Sequence, residues 1–176
     1  ARASRNRATA SPRTQRGERG RGRTEINSVN LGCGYRYLPS YINVDVDEGN
    51  EADLVADARH LPFRPESIHD ILLSHVLEHF TFQEARGVIA EIRVVLKRGG
   101  LLTLILPDLH VLAQRIIKGD DMDKHLSHVY GNSQETTWQI HKSGYTRETI
   151  HACLDNLIVE EDFSGGAEIR LRLRKS

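Results

Sequence analysis

Apolar runs of strand length recur between residues 26 and 106, at 26–32, 41–46, 52–57, 69–75 and 100–106. Strands that are buried on both faces of a sheet are nearly continuous apolar runs, so this pattern predicts a parallel sheet covered by helices. Near the end of the chain, "LIVEEDFSGGAEIRLRLR" alternates apolar and polar residues around a Gly-Gly turn. Such alternation predicts an antiparallel hairpin.

Helical patterns fill several gaps between the strands. The clearest one follows the fourth strand, where apolar residues recur at helical spacing: Ala85, Val88, Ile89, Ile92, Val95 and Leu96. Thr81 and Glu84 predict a capping box at the start of this helix, and Gly99, after two basic residues, predicts a left-handed cap at its end. Residues 108–119 and 146–156 predict two more helices, and the polar stretch between them fits neither pattern.

The order of these elements predicts an α/β fold: a Rossmann-like, mostly parallel sheet that is flanked by helices and ends in an antiparallel β-hairpin. Only residues 35–41 separate the first two strands. A parallel crossover normally needs a dozen or more residues. We therefore expect the helix between strands one and two to be missing or reduced to a loop.

The formal net charge of zero hides an uneven distribution along the 176 residues. Residues 1–24 hold eight arginines and one acidic residue, a charge of +7, whereas residues 25–176 carry −7. The first segment cannot bury enough apolar surface to offset its ordering entropy, so we expect a disordered Arg-rich N-terminal arm followed by a single domain at 25–176. Such an arm can contact nucleic acid or an anionic surface, although a solvated extension without a role is the simpler interpretation.

Cysteine usage and hydropathy limit the class of protein. Cys33 and Cys153 are the only cysteines and lie far apart in the sequence. This argues against a disulfide framework or a thiolate zinc site and indicates a reducing, cytoplasmic compartment. No apolar run approaches ~18 residues, so no membrane span is expected. The sequence leaves the oligomeric state open.

Glycines and acids follow the carboxyl ends of the first three predicted strands: Gly32, Cys33 and Gly34, then Asp45 and Asp47, then Asp57 and Ala58. Glycine lets the backbone approach a ligand closely, and an acid after the second strand can accept both ribose hydroxyls. An acid after the third strand can accept an adenine amino hydrogen. Each acid could instead be an ordinary strand-end residue, but three at successive strand ends favour a nucleoside site, because ligands bind at that edge of open α/β sheets.

The chain resembles a known family at this point. Its motifs are similar, in order and spacing, to those of class I S-adenosyl-L-methionine-dependent methyltransferases, and most of all to small methyltransferase-11-like proteins: "VNLGCG", "INVDVD", "VADARHLPF", "DILLSHVLEHF", "VLKRGGLLTLILPD" and the closing hairpin. The resemblance covers residues 26–173. It implies the class I methyltransferase fold, S-adenosyl-L-methionine as cofactor, and O- or N-methylation of a small-molecule or glycan acceptor.

The resemblance also implies roles for single residues. The glycine loop would pass under the methionine part of the cofactor. Asp45, with Asp47 as the second choice, would hold the ribose. The pair after the third strand would meet the adenine, and the end of the fourth strand would lie near the sulfonium. The residues implied in cofactor binding are Gly32, Cys33, Gly34, Asp45, Asp47, Asp57, Ala58, Ser74 and His75.

Two residues depart from the family pattern. Asn30 stands where an acid usually precedes the first motif glycine, and Arg36 stands at the position of a third glycine. Together with the short connection between the first two strands, these departures leave one side of the expected pocket thin. They favour an alternative function from another class, a catalytically inactive binding module with the same fold.

The string "HVLEH" (75–79) has the H-x-x-E-H pattern of the inverted zincins, in which a helix presents two imidazoles to zinc. A zinc site would need His75 and His79 one helical turn apart, plus a carboxylate such as Glu148 or Glu160. However, the fourth strand runs directly into His75, and the next helix has its own capping signal at Thr81. A zinc hydrolase is therefore a remote alternative, and no metal site is predicted.

Methyl transfer is an in-line displacement at a cationic sulfonium, and much of its acceleration comes from aligning the reactants in a dry site. A general base is needed only for a hydroxyl or a protonated nitrogen, and histidine is the usual choice at neutral pH. His141, in "HKSGYT", is the first candidate, because this string resembles the segment that closes the substrate side in related proteins. His75 and Asp108 are the other candidates. A plain hydrogen bond within a loop is the alternative for each histidine.

Overall fold

The computed structural model describes residues 27–131 and 137–176. Within them, seven strands form one sheet with the order β3-β2-β1-β4-β5-β7-β6. The strands are β1 (Ser28–Leu31), β2 (Ile42–Asp45), β3 (Leu54–Val55), β4 (Ile68–Ser74), β5 (Leu96–Pro107), β6 (Ile158–Asp162) and β7 (Glu168–Arg174). The first five pair in parallel, and β7 pairs antiparallel with both β5 and β6. The predicted architecture, with its closing hairpin, is confirmed. The predicted arm at 1–24 lies outside the described residues.

The helices lie after the fourth and fifth strands. They are α1 (Phe82–Val95), α2 (Leu109–Ile117), α3 (Met122–Tyr130) and the short α4 (Arg147–Ile150). Thr81 and Glu84 form the predicted capping box of α1, in which each side chain bonds the other residue's backbone N–H. Thr146 caps α4 in the same manner with Thr149. The predicted helix at 146–156 is therefore a single α-helical turn continued by a 3₁₀ turn.

The end of α1 differs from the prediction. The helix stops at Val95, and Leu96 already has extended backbone angles and pairs with Ile68 of β4. Leu96 is fully buried, so starting the strand at this residue keeps its side chain in the core. Gly99 does have a positive φ, +72°, but it turns the chain inside β5 and its N–H bonds the carbonyl of Lys175.

The two faces of the sheet are buried to different extents. Side chains in register on one face pack with α1 and the segment after α4 into a single core: Val29, Leu31, Val44, Ile71, Leu73, Leu102, Leu104, Leu106, Ile169, Leu171 and Leu173. On the opposite face, Leu72, Leu101 and Ile105 are only partly buried. The centre of the sheet is therefore less deeply buried on this face than on the face that packs against α1.

No helix connects β1 to β2 in the described part of the chain, as the short spacing predicts. A buried polar network organises the connection instead. Asn43 is fully buried; its amide oxygen accepts from the N–H of Leu38 at 2.9 Å, and its amide nitrogen donates to the carbonyl of Leu38 at 3.0 Å. Asn30 donates to Asn43 Oδ1 at 3.0 Å and to the carbonyl of Arg36 at 2.8 Å. These bonds satisfy loop backbone groups that a helix would have satisfied internally.

Candidate functional site

The glycine loop after β1 is held tightly against β2. The N–H groups of Gly32 and Cys33 both donate to the carbonyl of Val44, at 2.8 and 3.0 Å. Gly32 has φ +70°, and a Cβ there would lie 2.3 Å from Cγ2 of Val76. Gly34 also has a positive φ, +49°. The loop therefore needs glycine at residue 32 for two reasons, its left-handed backbone and the close approach of the chain that leaves β4.

Asp45 links this loop to the exit of β2. Its carboxylate accepts the N–H of Gly34 at 2.7 Å and the N–H of Asp47 at 2.9 Å. The Asp45 residue is 8% exposed. Each oxygen of the carboxylate accepts one of these bonds, and a carboxylate oxygen can accept two. Asp45 therefore fixes the loop and still has acceptor capacity directed at the sheet edge.

An ion-pair network follows β3. Arg59 binds both oxygens of Asp57, at 2.6 to 3.1 Å, and its NH1 reaches Glu84 of α1 at 3.0 Å. Hydrogen bonding from Arg59 lowers the pKa of Asp57, so its carboxyl group stays ionised at neutral pH. The guanidinium lies 5.9 Å from the ring centre of Phe80. This network ties the residues after β3 to the start of α1.

His75 is the residue at which β4 ends. It has φ +56°, an uncommon conformation for a residue that is not glycine. Its Nε2 lies 3.0 Å from Glu168 of β7 and its Nδ1 lies 3.3 Å from Glu78. Glu78 raises the pKa of His75 above its ordinary value and Glu168 adds to this effect, whereas burial opposes it. The imidazole is thus held between two carboxylates from different parts of the chain.

These residues surround one cleft of about 270 Å³ at the carboxyl edge of the parallel strands. The predicted cofactor residues in its lining are Gly32, Gly34, Asp45, Asp47, Asp57, Ala58 and His75. Small-molecule sites typically measure about 300–1,000 Å³, so the cleft is close to the lower end of the size of a small-ligand site. Cys33, which is buried, and Ser74, which is partly buried, lie outside the lining formed by the described residues.

Residues 29–104 match the family model of a methyltransferase domain, the methyltransferase-11 family. The chain carries a methyltransferase domain. The match spans β1 to β5 and therefore the whole glycine loop, Asp45, Asp57 and His75. It makes S-adenosylmethionine the expected cofactor and methyl transfer the reaction class, and it confirms the resemblance seen in the sequence motifs.

Solved structures share this fold. The PH0226 protein from Pyrococcus horikoshii superposes with a TM-score of 0.63 at 16% identity, over 85% of this chain and 81% of that chain. A SAM-dependent methyltransferase from Methanosarcina mazei gives 0.59 at 15% identity, over 84% and 91%. An O-methyltransferase family 2 protein from Planctomyces limnophilus, in complex with apigenin, gives 0.54 at 15% identity, over 85% and 49%. At these identities the likeness establishes the fold. No curated protein sequence matches the chain.

The two other predicted catalytic residues of the methyltransferase domain lie behind the cleft wall. His141 donates from Nδ1 to the carbonyl of His128 at 2.9 Å and lines a second, much smaller cavity. Burial lowers the pKa of His141, against an opposing effect of Glu78. Asp108 is 3% exposed and is the N-cap of α2, where its Oδ1 accepts the N–H of His110 at 3.0 Å. Of the three predicted catalytic residues, His75 is the one that lines the cleft.

Sequence reasoning missed part of the cleft wall of the methyltransferase domain. Trp138, Gln139 and Lys142 line it from the polar stretch that had no predicted structure, and Arg59 and Glu84 line it from the ion-pair network. The spacing of Asp57 and Arg59, two residues apart, could have indicated their pairing. Nothing local to the sequence places Lys142 or Trp138 beside the end of β4.

The motif "HVLEH" has a conformation that excludes the zincin arrangement. His75 ends a strand, and Leu77–His79 is a separate 3₁₀ turn, so the two histidines do not share a helix. Glu148 bonds Thr146, and Glu160 pairs with Arg174. Among the described residues, the structure instead brings Glu78 and His79 together with His141. In this methyltransferase domain the motif therefore forms part of the wall at the end of β4.

The helices were compared with the requirements for a membrane span. Among the described residues, none of them combines the length and the apolar composition that crossing a bilayer requires.

Proposed function

We propose that the cleft transfers a methyl group from S-adenosylmethionine to a hydroxyl, or alternatively an amine, of a small-molecule or glycan acceptor, with His75 accepting the proton of the nucleophile. The observation that carries this proposal is the position of His75. It lines the cleft at the end of β4 and is held by Glu78 on one ring nitrogen and Glu168 on the other.

The residues of the cleft fit the cofactor. Asp45 fixes the loop at Gly34, where a Cβ would meet no atom within 4 Å, so this backbone borders open space that a ligand can approach. We assign the ribose to Asp45 and Asp47 and the adenine to the region of Asp57. The acceptor capacity left on Asp45 supports the ribose assignment. The cofactor supplies a methyl group on a positively charged sulfur, and transfer leaves a neutral thioether.

His75 is suited to take up the proton that a hydroxyl loses. Glu78, buried beside it, can hold the Nδ1–H, in the manner of a carboxylate that orients a catalytic imidazole. Glu168 has a second partner, because Arg170 donates to its Oε2 at 2.9 Å. When His75 leaves Glu168 and its Nε2 proton passes to solvent, the Nε2 lone pair becomes available to the acceptor while Arg170 keeps the carboxylate paired. His75 Nε2 would then take up the proton of the acceptor hydroxyl, whose oxygen would receive the methyl group that the cofactor supplies.

The wall beside His75 suits a polar acceptor. Lys142 and Gln139 offer hydrogen-bond donors there, and Trp138, which is 50% exposed, offers an apolar ring face. Ligand sites commonly combine aromatic surfaces with a few polar groups that fix orientation. A polyhydroxylated acceptor such as a sugar has both kinds of surface, apolar C–H faces and hydroxyl groups. His141 and Asp108 remain predictions, and their places behind the wall make us assign proton transfer to His75.

Cofactor binding is tested by calorimetric titration with S-adenosylhomocysteine. Wild type and Asp123→Asn, an exposed control on α3, should bind one equivalent with equal affinity. Asp45→Asn should bind at least about 10-fold more weakly, because one charge-assisted acceptor is lost. If the wild-type chain does not bind, or Asp45→Asn binds normally, the site assignment is wrong.

Turnover is tested with S-adenosylmethionine labelled in the methyl group and a panel of hydroxyl- and amine-bearing sugars and phenols. His75→Asn keeps a residue that tolerates positive φ and removes the base, so transfer to hydroxyls should fall by about 10²- to 10⁴-fold. His69→Asn, at the exposed start of the same strand, is the control. Equal turnover in His75→Asn would reject the role of His75. Cofactor binding without turnover on any acceptor would instead support the alternative of an inactive binding module.

A further inference from the structure

We propose a binding site for a first-row divalent transition metal, with Zn²⁺ as the type ion, formed by Glu78, His79 and His141. One potential ligand atom from each of these side chains lies within 4.8 Å of the other two. The site joins the 3₁₀ turn after β4 to the segment that follows α3, directly behind the cleft wall. It shares Glu78 with the proposed orientation of His75, whereas its test needs neither the methyl acceptor nor the cofactor.

Glu78 supplies the first argument. It is 2% exposed, and neither of its carboxylate oxygens receives a hydrogen bond of normal geometry; Nδ1 of His75 lies 3.3 Å from one of these oxygens. A buried carboxylate without hydrogen bonds is costly, and such groups are usually paired or bound to a metal. Ser143 Oγ and Tyr145 Oη are buried without partners as well and line the same small cavity as Glu78 and His141.

The two histidines are oriented as metal ligands are. His79 donates from Nδ1 to the carbonyl of Ile140 at 3.2 Å, and His141 donates from Nδ1 to the carbonyl of His128 at 2.9 Å. A ligating imidazole almost always donates its other ring N–H to a carbonyl or a carboxylate. Both rings therefore have Nε2 as the nitrogen with a free lone pair. The rings meet edge to face, with their centres 4.8 Å apart.

The backbone around the cluster is well fixed. The carbonyl of Glu78 accepts the N–H groups of Lys142 and Ser143, at 2.8 and 3.2 Å, and the N–H of His141 donates to Tyr130 at 3.1 Å. These bonds tie the 3₁₀ turn to the segment that carries the third ligand. Because the main chain already holds the ligands close, a metal ion would need movement of side chains alone.

The donor set selects the class of ion. Two imidazoles and one carboxylate suit zinc and its first-row neighbours, and three protein ligands leave a fourth position open. Bonds of about 2.0–2.2 Å in a tetrahedral site put the ligand atoms roughly 3.3–3.6 Å apart, so the side chains would have to close by up to about 1.5 Å. His79 also lines the cleft, so the open position would be nearest to the cleft on that side.

The test is metal binding itself, measured on the full chain without cofactor or acceptor. Purified protein is stripped with a chelator and then titrated with Zn²⁺ by calorimetry and with Co²⁺ by visible absorption. We expect one equivalent of each ion and intense d–d bands typical of a four- or five-coordinate site. His79→Gln and Glu78→Gln should bind more than about 100-fold more weakly, since loss even of an outer-shell partner typically costs about 10- to 100-fold. His151→Gln, an exposed histidine elsewhere, should bind as wild type does.

Several outcomes would overturn the proposal. One is weak, multi-equivalent Zn²⁺ binding with no Co²⁺ bands in the wild-type chain, which would mean that the cavity holds ordered water only. Another is wild-type affinity in His79→Gln. If Glu78→Gln fails to fold, the His79→Gln variant and the wild-type Co²⁺ spectrum still decide the question, because His79 is less buried than Glu78. A rise in melting temperature with Zn²⁺ in wild type and its loss in His79→Gln would support the site.

Discussion

Gly32 offers the sharpest test of how the glycine loop is built. Alanine at this position has two costs. A left-handed backbone conformation, required by φ +70°, costs an L-residue about 1–2 kcal/mol. The added Cβ would lie 2.3 Å from Val76 Cγ2, and overpacking of this kind typically costs about 1–3 kcal/mol. The free energy of unfolding of Gly32→Ala should therefore be lower than that of wild type by about 2–5 kcal/mol.

Gly34 provides a matched control in the same loop. Its φ is +49°, but a Cβ there would meet no atom within 4 Å. Gly34→Ala should therefore carry the backbone cost alone, about 1–2 kcal/mol. The substitution Val76→Ala removes the two methyl groups and so separates the steric cost of Gly32→Ala from its backbone cost. In the double variant Gly32→Ala/Val76→Ala the steric cost disappears, so the two substitutions should be non-additive, with a coupling of about 1–3 kcal/mol.

The assay is urea unfolding followed by circular dichroism, with S-adenosylhomocysteine titration of the variants that fold. Val76 lines the cleft, so its displacement by a Cβ at residue 32 should also weaken cofactor binding in Gly32→Ala. The double variant should recover part of this affinity. Equal destabilisation of Gly32→Ala and Gly34→Ala, or strict additivity in the double variant, would refute the close approach between the glycine loop and the chain that leaves β4.

Two further predictions concern polar groups around the site. Asn30→Asp replaces a hydrogen-bond donor by a carboxylate that would face Asn43 Oδ1 and the carbonyl of Arg36. The variant should therefore lose about 1–3 kcal/mol of unfolding free energy, measured by urea unfolding at pH 7. A variant as stable as wild type would contradict the network. Asp57 has a pKa below its unfolded value of about 3.9, so its contribution to stability is present above about pH 4 and is lost as the pH falls through the lowered folded pKa. Asp57→Asn should therefore show a shallower loss of unfolding free energy below pH 4 than wild type, and identical slopes would reject the Arg59 pairing as its cause.

Features that depend on neighbours in the sequence were predictable. The capping box of Thr81 and Glu84 spans three residues, and the acids after β2 and β3 follow directly from the positions of the strand ends. The end of α1 was not predictable from local signals, because Leu96 continues the helical spacing. Its burial and its pairing with Ile68 in the sheet determine the boundary, and both depend on the tertiary fold.

Contacts across long sequence separations explain what was missed at the site. His75 meets Glu168, 93 positions further along the chain, and His79 packs against His141. Within the sequence, "HVLEH" matches a helical metal motif. Two contacts distinguish a helical metal motif from the end of a strand. β4 continues into His75, and the hairpin brings Glu168 beside it. Strand pairing of this kind is fixed by the whole sheet and cannot be deduced from the motif alone.

The departure at Asn30 has a physical reason in the missing helix. A family acid at this position could not donate a hydrogen bond, whereas Asn30 donates both to the loop that replaces the helix and to Asn43. Asn43 in turn receives support from Asp53, whose carboxylate accepts its side-chain nitrogen at 3.0 Å and its backbone N–H at 2.8 Å. The same substitution that departs from the methyltransferase pattern thus stabilises the short connection. It follows that Asn30 is better explained by the loop it organises than by loss of activity.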